Sequence, residues 1–494
     1  MNYKAYSRSY LWLGTCFIFI VFLLLYVPNL RTNPGWYADE TYVVSNAAEV
    51  SKGHFTNFAI KNTFFHVTYP YQLPYTYICG IFFRAFHHDI LGPRTFNILI
   101  GLAAALFAFH VGRRKFGLIT AFSQALLILT YEQSVIHYRY TFAHNGTGLG
   151  LLVATIYLLN KSNFKNDLKA GVGILIAGAC HPLVTHVAIS SWLCRFKKPR
   201  SWIALGLPYA ILLLFTLLIV YTKLGNTLAQ DLTSHLNYYS HSSKENSSSF
   251  TTNVLFFFFQ DPFHILALAS LLLAFNKKYY PLAIMGLVPS LLLLQNRANL
   301  PVFYYQAMLV LPVFCLSIGQ MFHAAAHLIN RESKINIHKW TRFLPLILPV
   351  LFFTTNLPKS YMGTLTPRNV FWTTQSYQDV EAAAAWINVN TKPADLVICN
   401  PNIAWLLHTR TAHYLQTLAW RGYRTHGYEL ELPKNYFLFS PDLSDAKFAV
   451  VGDMDLRWTF GQLGADSIVR ELQAGWPIVW QSSTYTILKN PKFN

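Results

Sequence analysis

The chain has few charged residues. Of its 494 residues, 53% are hydrophobic and only 12% are charged, whereas soluble domains carry about a quarter charged residues. Cysteine is scarce too: the six cysteines are scattered and show no CxxC or Cys/His spacing typical of a metal site. The C-terminal part has no Gly-rich phosphate loop and no GxSxG motif. These absences argue against an ordinary soluble domain, a structural zinc site and the commonest hydrolase and nucleotide-binding classes.

Long apolar runs take the place of the missing charge. Leu11–Leu30 has no charged residue in its interior, and about 20 apolar residues are enough for a helix to cross a bilayer. No small-residue cleavage site follows it, so it is predicted to be a retained first helix. The net charge of +18 lies largely in short clusters between apolar runs, a pattern typical of loops that fix membrane orientation rather than of nucleic-acid binding.

The charge clusters predict about eleven membrane segments, with the N-terminus inside and the C-terminus outside. Within residues 170–195 both ends are basic and His181-Pro182 lies in the middle. Because proline disfavours a continuous helix, two short helices meeting at this dipeptide are predicted. Val254–Phe275 is predicted to be one further span.

Two domains are predicted. Residues 1–356 form a transmembrane domain with a first outward loop at about 31–93, and residues 357–494 form an extracytoplasmic soluble domain. Helical segments alternate there with short β-rich runs, which predicts a small α/β fold: helix Val380–Ile387, strands Leu396–Cys399 and Phe448–Gly452, and a terminal strand pair at Trp476–Trp480 and Thr484–Leu488. Asp453 directly follows the strand Phe448–Gly452. An acid at this position can contact a ligand, or it can cap a helix or stabilise a turn.

The first outward loop carries adjacent acids, Asp39 and Glu40, between aromatic residues. A carboxylate at the membrane surface can take a proton from an incoming hydroxyl or amine, and a neighbouring negative charge raises its pKa. Alternatively, the pair caps and charges a following helix, Thr41–Val50, because a helix N-terminus favours anions. Spacing alone does not choose between these interpretations.

The order of motifs around this pair is informative. Asp39-Glu40 is followed by Tyr42 and Ala47-Ala48-Glu49, and then by Tyr69-Pro70-Tyr71-Gln72-Leu73-Pro74-Tyr75, Gly92-Pro93-Arg94 and Gly112-Arg113-Arg114-Lys115-Phe116-Gly117. Over about residues 35–160 this order resembles the polyprenyl-phosphate-sugar-dependent glycosyltransferases of the GT-C fold, the protein O-mannosyltransferase and aminoarabinose-transferase-like group.

The resemblance implies a mostly α, polytopic transmembrane helical protein of GT-C-like fold with a C-terminal extracytoplasmic α/β domain. Such enzymes move a sugar from a polyprenyl phosphate to a glycan, lipid or protein acceptor on the extracytoplasmic face, with inversion. Because Asp39 and Glu40 match the family's acidic first-loop motif, the resemblance implies that Asp39 is the base and that Glu40 has a supporting role. The protein is expected to be a multi-pass protein of the bacterial inner membrane, because such homologues carry a C-terminal α/β domain; the endoplasmic reticulum is the alternative location.

Several residues are candidates for the donor site. Arg297 precedes Tyr304 and Tyr305, an order similar to the family's donor-phosphate region; Arg94 is a second candidate. Alternatively, such arginines simply anchor helix ends at the interface. Further residues are candidates for the cavity wall because ionisable groups near a membrane are functional hypotheses by default: His66, Glu132, His137, Arg139 and His181, with His144 and His186 nearby.

Relatives often bring a second acid to this cavity, but here Glu132 is the only carboxylate of its segment. No metal site is therefore predicted; a divalent cation is left open, and no other cofactor is implied. A secondary transporter or a lipid or polysaccharide flippase is the alternative function. It would predict acids inside the spans and pseudo-symmetric halves, and the sequence shows neither an internal repeat nor acid-rich spans.

Overall fold

The structure is a computed structural model. It describes residues 3–51, 73–224, 250–275, 278–295, 304–332, 341, 343–366, 374–423, 434, 437, 439–452, 455–456 and 465–493. Most of these residues lie in helices, as predicted, and a small sheet lies in the C-terminal part. The chain divides into two compact units. The first contains residues 1–34, 94–215 and 246–369, and the second contains 35–93, 216–245 and 370–494.

Twenty α-helices are described. In chain order they are α1 Tyr3–Tyr26, α2 Ala38–Ser51, α3 Leu73–Ala85, α4 Leu91–Phe116, α5 Leu118–Thr130, α6 Glu132–Tyr138, α7 Ala143–Leu158, α8 Phe164–Cys180, α9 Val184–Cys194, α10 Pro199–Leu224, α11 Phe250–Phe259, α12 Pro262–Leu273, α13 Tyr280–Gln295, α14 Tyr304–Ala307, α15 Leu311–Glu332, α16 Ile347–Met362, α17 Tyr377–Asn390, α18 Pro401–Ala404, α19 Tyr414–Trp420 and α20 Asp466–Gly475.

Four described helices are long and apolar enough to cross a membrane: Ser9–Tyr26, Leu91–Phe116, Pro199–Leu218 and Leu311–Ile329. A bent pair, α11 and α12, would make a fifth, and α5, α9 and α13 are apolar but shorter. A helix needs about 20 residues to span the hydrocarbon core alone. The predicted total of eleven segments therefore stays a prediction.

Two helix breaks follow from proline. As predicted, α8 ends at Cys180 and α9 begins at Val184, on either side of His181-Pro182. The prediction of one continuous span over Val254–Phe275 is wrong, because α11 and α12 meet there at 106°. Pro262 has no N–H to continue the first helix, and the Asp261 carboxylate accepts a 2.9 Å hydrogen bond from the N–H of Phe263, which starts the second helix.

In the first unit, small residues bring helices α7 and α8 together. A Cβ atom on Gly150 would lie 2.6 Å from the backbone nitrogen of Ala177, and one on Gly173 would lie 2.6 Å from that of Ala154. Lipid chains are as apolar as leucine, so close backbone packing of small residues is a main source of association between membrane helices. Larger side chains at these two positions would separate the pair.

Seven strands are described in the second unit: β1 Trp36–Tyr37, β2 Thr374–Gln375, β3 Leu396–Ile398, β4 Arg410–Ala412, β5 Phe448–Gly452, β6 Ile478–Gln481 and β7 Tyr485–Lys489. β1 and β2 form a short antiparallel ribbon. The other five form one sheet in the order β4-β3-β5-β7-β6. β3 is parallel to β4 and β5, whereas β7 is antiparallel to β5 and β6.

Helices α19 and α20 cover this sheet. Their buried residues Leu415, Leu418, Ile468 and Leu472 belong to one apolar core with strand residues such as Ile398. The sheet therefore has a core of its own, and the polar residues at the carboxyl ends of β3 and β5 stand at its edge.

Candidate functional site

The two acids predicted from the sequence lie in the first turn of α2, directly after β1. Asp39 is partly buried, whereas the side chain of Glu40 is fully buried. The partial positive charge at a helix N-terminus stabilises both carboxylates. The interpretation as helix-charging residues therefore fits both acids, but only Asp39 keeps the exposure that a proton acceptor needs.

Helix α2 is joined to helix α18 of the same unit. The Thr41 hydroxyl donates a 2.6 Å hydrogen bond to Oδ1 of Asn402, and the Ser45 hydroxyl donates a longer one, 3.4 Å, to the carbonyl of Pro401. The rings of Trp36 and Trp405 pack with centroids 5.2 Å apart. Because α18 directly follows β3, these contacts set α2 at the carboxyl end of the sheet.

Tyr42, one turn after Asp39, lies within reach of two negative charges. Burial raises the pKa of its phenol, and the carboxylates of Asp39 and Asp455 raise it further. The phenol is therefore protonated at neutral pH and can donate a hydrogen bond. The carboxylates of Asp39 and Asp455 thus act on the same neutral donor, the Tyr42 phenol.

Asp455 is a buried carboxylate that the sequence analysis did not select. Its Oδ1 accepts a 3.3 Å hydrogen bond from Nδ2 of Asn400, and its Oδ2 accepts a 3.0 Å bond from the N–H of Gly452. Asn400 follows β3 and Gly452 ends β5, so Asp455 joins the carboxyl ends of neighbouring parallel strands. This is where the chain order of the sheet reverses, the position at which open α/β sheets bind ligands.

The sequence singled out Asp453, which lies outside the described residues. The available signal for Asp455 was the same as for Asp453, an acid soon after a predicted strand. Asp455 is buried, and burial depends on the tertiary fold.

In the first unit, Arg94 and Arg139 are fully buried. Nη1 of Arg94 donates to the carbonyl oxygens of Leu30, Arg31 and Pro34 at 2.8–3.1 Å. Arg139 donates from Nε to Asn33 at 2.8 Å, from Nη1 to Leu25 at 2.7 Å and from Nη2 to Pro28. Two guanidinium groups thus hold the backbone of residues 25–34, the segment that leads to the acid pair. The donor-site role of Arg94 stays a prediction.

The other cavity candidates in the first unit have different surroundings. Glu132 forms a 2.7 Å ion pair with Lys359. The rings of His144 and His181 have centroids 4.2 Å apart, and Nδ1 of His181 accepts a 3.2 Å hydrogen bond from the N–H of Leu183. His137 is fully buried, and its main-chain carbonyl accepts a 2.9 Å bond from Nδ2 of Asn145.

Buried polar atoms without hydrogen-bond partners gather on the short helix α6. In the described part of the chain neither ring nitrogen of His137 has a partner, and the same holds for the amide of Gln133 and the hydroxyl of Ser134. Gln133 and His137 are four residues apart and share one helix face. Buried polar groups are nearly always paired, so such a cluster marks a place for water or for a polar ligand.

Four of the predicted site residues have no described side chain. His66 and Arg297 lie outside the described residues, and Tyr304 and Tyr305 lie on α14 but their side chains are not described. Within the described ranges no three histidine, cysteine, aspartate or glutamate side chains gather in a way that could hold a metal ion.

No family model matches the chain, and no curated protein matches its sequence. The fold nevertheless has clear counterparts: it is that of the membrane-embedded GT-C glycosyltransferases, as the order of motifs predicted. Together with the apolar helices, this likeness identifies the chain as an integral membrane protein.

Solved structures show the likeness over the whole chain. ArnT from Cupriavidus metallidurans in the apo state is 13% identical, with 98% of both chains covered and a TM-score of 0.60. The same enzyme bound to undecaprenyl phosphate is 11% identical, again with 98% of both chains covered, at a TM-score of 0.62. Arabinofuranosyltransferase AftD from mycobacteria matches 98% of this chain and 40% of its own, at 10% identity and a TM-score of 0.50. At sequence identities of 10–13% the likeness shows a shared fold and nothing about activity.

Proposed function

We propose that this protein is a glycosyltransferase that moves a sugar from a polyprenyl-phosphate donor to an acceptor on the extracytoplasmic face of the bacterial inner membrane. The observation that carries the proposal is the likeness to ArnT over 98% of both chains, because it includes the C-terminal α/β part as well as the helices. The structure of ArnT bound to undecaprenyl phosphate supports a lipid phosphate as the donor's carrier.

Asp39 is the proposed base. It stands in the first turn of α2, is only partly buried and has the protonated phenol of Tyr42 close by. In the reaction Asp39 takes the proton of the acceptor hydroxyl or amine. The acceptor atom bonds to the anomeric carbon from the face opposite the phosphate, so the configuration inverts. The bond between the anomeric carbon and the phosphate oxygen breaks, and its electron pair leaves with the lipid phosphate.

Glu40 has a supporting role. Its side chain is fully buried in the same helical turn, so an acceptor cannot reach it without a rearrangement. As the neighbouring carboxylate, Glu40 is proposed to make Asp39 a stronger base.

The departing phosphate carries the negative charge that develops in the reaction, and a cation fixed beside it lowers the barrier. Arg297, with Tyr304 and Tyr305, is the proposed partner of this phosphate. Arg94 is the weaker candidate, because its Nη1 atom already donates to three main-chain carbonyls.

The buried polar face of α6 is proposed to line the donor cavity. Gln133, Ser134 and His137 offer uncharged donors and acceptors without partners in the described chain, which suits sugar hydroxyls or ordered water. No step requires a metal ion, and a divalent cation is left open.

The test is sugar transfer from a panel of radiolabelled polyprenyl-phosphate sugars by the full-length protein in nanodiscs, with envelope extract as the acceptor source. The wild-type protein is expected to transfer or slowly hydrolyse one donor. Asp39→Asn is expected to lose about 10²- to 10⁴-fold in rate, the usual contribution of a general base. The matched control is Asp445→Asn, which neutralises an exposed carboxylate of the same unit.

Wild-type transfer by a normally expressed Asp39→Asn variant would remove Asp39 from the mechanism. If neither variant nor wild type binds or turns over any donor, even with extract, the glycosyltransferase proposal fails and a transporter becomes the better explanation.

A further inference from the structure

A groove in the first unit is lined by residues that the proposed site does not use. It has a volume of about 600 Å³ and is formed where the start of α8 meets the start of α10; Phe164, Lys198, Pro199 and Arg200 line it together with Asn163, Asp167 and Ser201. The sequence analysis assigned these basic loops only to orientation in the membrane. The groove shows that basic residues of these loops also line a candidate binding surface.

The groove has a surplus of positive charge. Lys198 and Arg200 are exposed, and neither side chain forms an ion pair in the described part of the chain. The carboxylate in the lining, Asp167, is already neutralised: it is buried, accepts a 2.8 Å hydrogen bond from Nε of Arg195 and accepts a 2.9 Å bond from the Ser162 hydroxyl. Two cations therefore remain for an anionic ligand, and the adjoining helix N-termini add partial positive charge.

Large exposed apolar side chains lie in the lining and on the chain next to these cations. Phe164 in the lining is 63% exposed, and near the start of α10 Phe196 is 66% and Ile203 is 67% exposed. Trp202 is also exposed, and its indole N–H donates a 3.2 Å hydrogen bond to the carbonyl of Arg195. Aromatic rings with one polar anchor are typical of the membrane interface, so the groove stands at the level of lipid head groups.

We propose that this groove binds the head group of an anionic phospholipid, with the phosphate between Lys198 and Arg200 and the acyl chains against Phe164 and the neighbouring apolar side chains. The charge complementarity selects an anion, and the apolar surroundings select a lipid over a free phosphate. The inner leaflet is rich in anionic lipids, and the clustered lysines and arginines place this side of the protein there. This lipid is structural and is distinct from the sugar donor.

The experiment uses full-length protein in neutral detergent with added phosphatidylglycerol, and native mass spectrometry with thermal unfolding as readouts. Bound phosphatidylglycerol and a rise in Tm are expected, whereas phosphatidylcholine and inorganic phosphate alone give neither. Each removed cation is expected to weaken binding about fivefold, and Lys198→Gln/Arg200→Gln together about 25-fold.

The control variant is Lys161→Gln/Lys165→Gln, which removes two exposed cations of the same basic region that do not line the groove. It is expected to bind phosphatidylglycerol like the wild type. Equal weakening in both double variants would overturn the proposal in favour of diffuse charge attraction, and an equal response to phosphatidylcholine or to phosphate alone would overturn it as well. The single variants Lys198→Gln and Arg200→Gln serve if the double variant does not fold.

Discussion

The hydroxyl of Thr41 lies 2.6 Å from Oδ1 of Asn402 and donates a hydrogen bond to it. Both residues are buried. The two positions are far apart in sequence, one in the helix that carries the acid pair and the other in the helix after strand β3. This bond ties the proposed base to the C-terminal α/β part of the same compact unit.

Thr41→Val keeps the shape of the side chain and removes this bond. We expect a loss of about 1–2 kcal/mol in the free energy of unfolding, the usual cost of deleting a buried hydrogen bond, and slower sugar transfer, because α2 is held less firmly. Thermal unfolding and the transfer assay measure both effects.

Thr391→Val is the control, since within the described residues the Thr391 hydroxyl bonds only to the carbonyl of Ile387 in the preceding helical turn. It should leave the transfer rate unchanged. A wild-type transfer rate in Thr41→Val would show that this bond does not position Asp39.

Glu40→Gln separates the roles of the acids. If Glu40 supports Asp39 electrostatically, the variant keeps activity but lowers the apparent pKa of the base, because a neighbouring negative charge has been removed. The acid limb of the pH–rate profile is then expected to move to lower pH, whereas Asp39→Asn abolishes that limb together with the activity. An unchanged profile in an active Glu40→Gln variant would contradict the supporting role.

Arg139→Lys tests the anchoring of residues 25–34. Lysine keeps the charge, but it cannot reproduce the planar fork that reaches Leu25, Pro28 and Asn33. Losing two charge-assisted hydrogen bonds predicts a cost of about 3–6 kcal/mol, measured as a lower Tm in detergent. Arg114→Lys, at an exposed position of α4, should leave the Tm unchanged; an equal fall in both variants would contradict the anchoring role.

His413 predicts a pH dependence of stability. It caps α19: its Nδ1 accepts a 3.2 Å hydrogen bond from the N–H of Leu415, and burial lowers the pKa of the ring to about 3. Between that value and the unfolded pKa of about 6.5, only the unfolded chain binds the proton. Stability is therefore complete above about pH 6.5 and falls as the pH decreases through this window.

The expected loss from His413 alone is about 2 kcal/mol between pH 8 and pH 5. His413→Asn keeps a capping oxygen and removes the titrating ring, so its stability should depend less on pH. Amide exchange in β5 and α19 at the two pH values measures the difference. Identical pH dependence in the two proteins would show that His413 does not titrate on unfolding.

Local sequence patterns anticipated much of the secondary structure. The break at His181-Pro182 was predictable because proline acts on its own helix, and strand β5 begins and ends at the predicted residues. Strand β4, three residues long, was missed because it is defined by its pairing with β3. The bend before Pro262 was missed because the flanking run is uniformly apolar, although the Asp-Pro pair was the available signal.

The sequence by itself determined the class of protein. Its long apolar runs require a bilayer, and the order of motifs over about residues 35–160 predicts the GT-C fold. Tertiary structure alone decided how individual polar residues are used. Arg94 and Arg139 donate to main-chain carbonyls, and Asp455 is buried between strand ends. The reason is physical: hydropathy and proline act within a few residues, whereas burial and hydrogen-bond partners depend on segments distant in sequence.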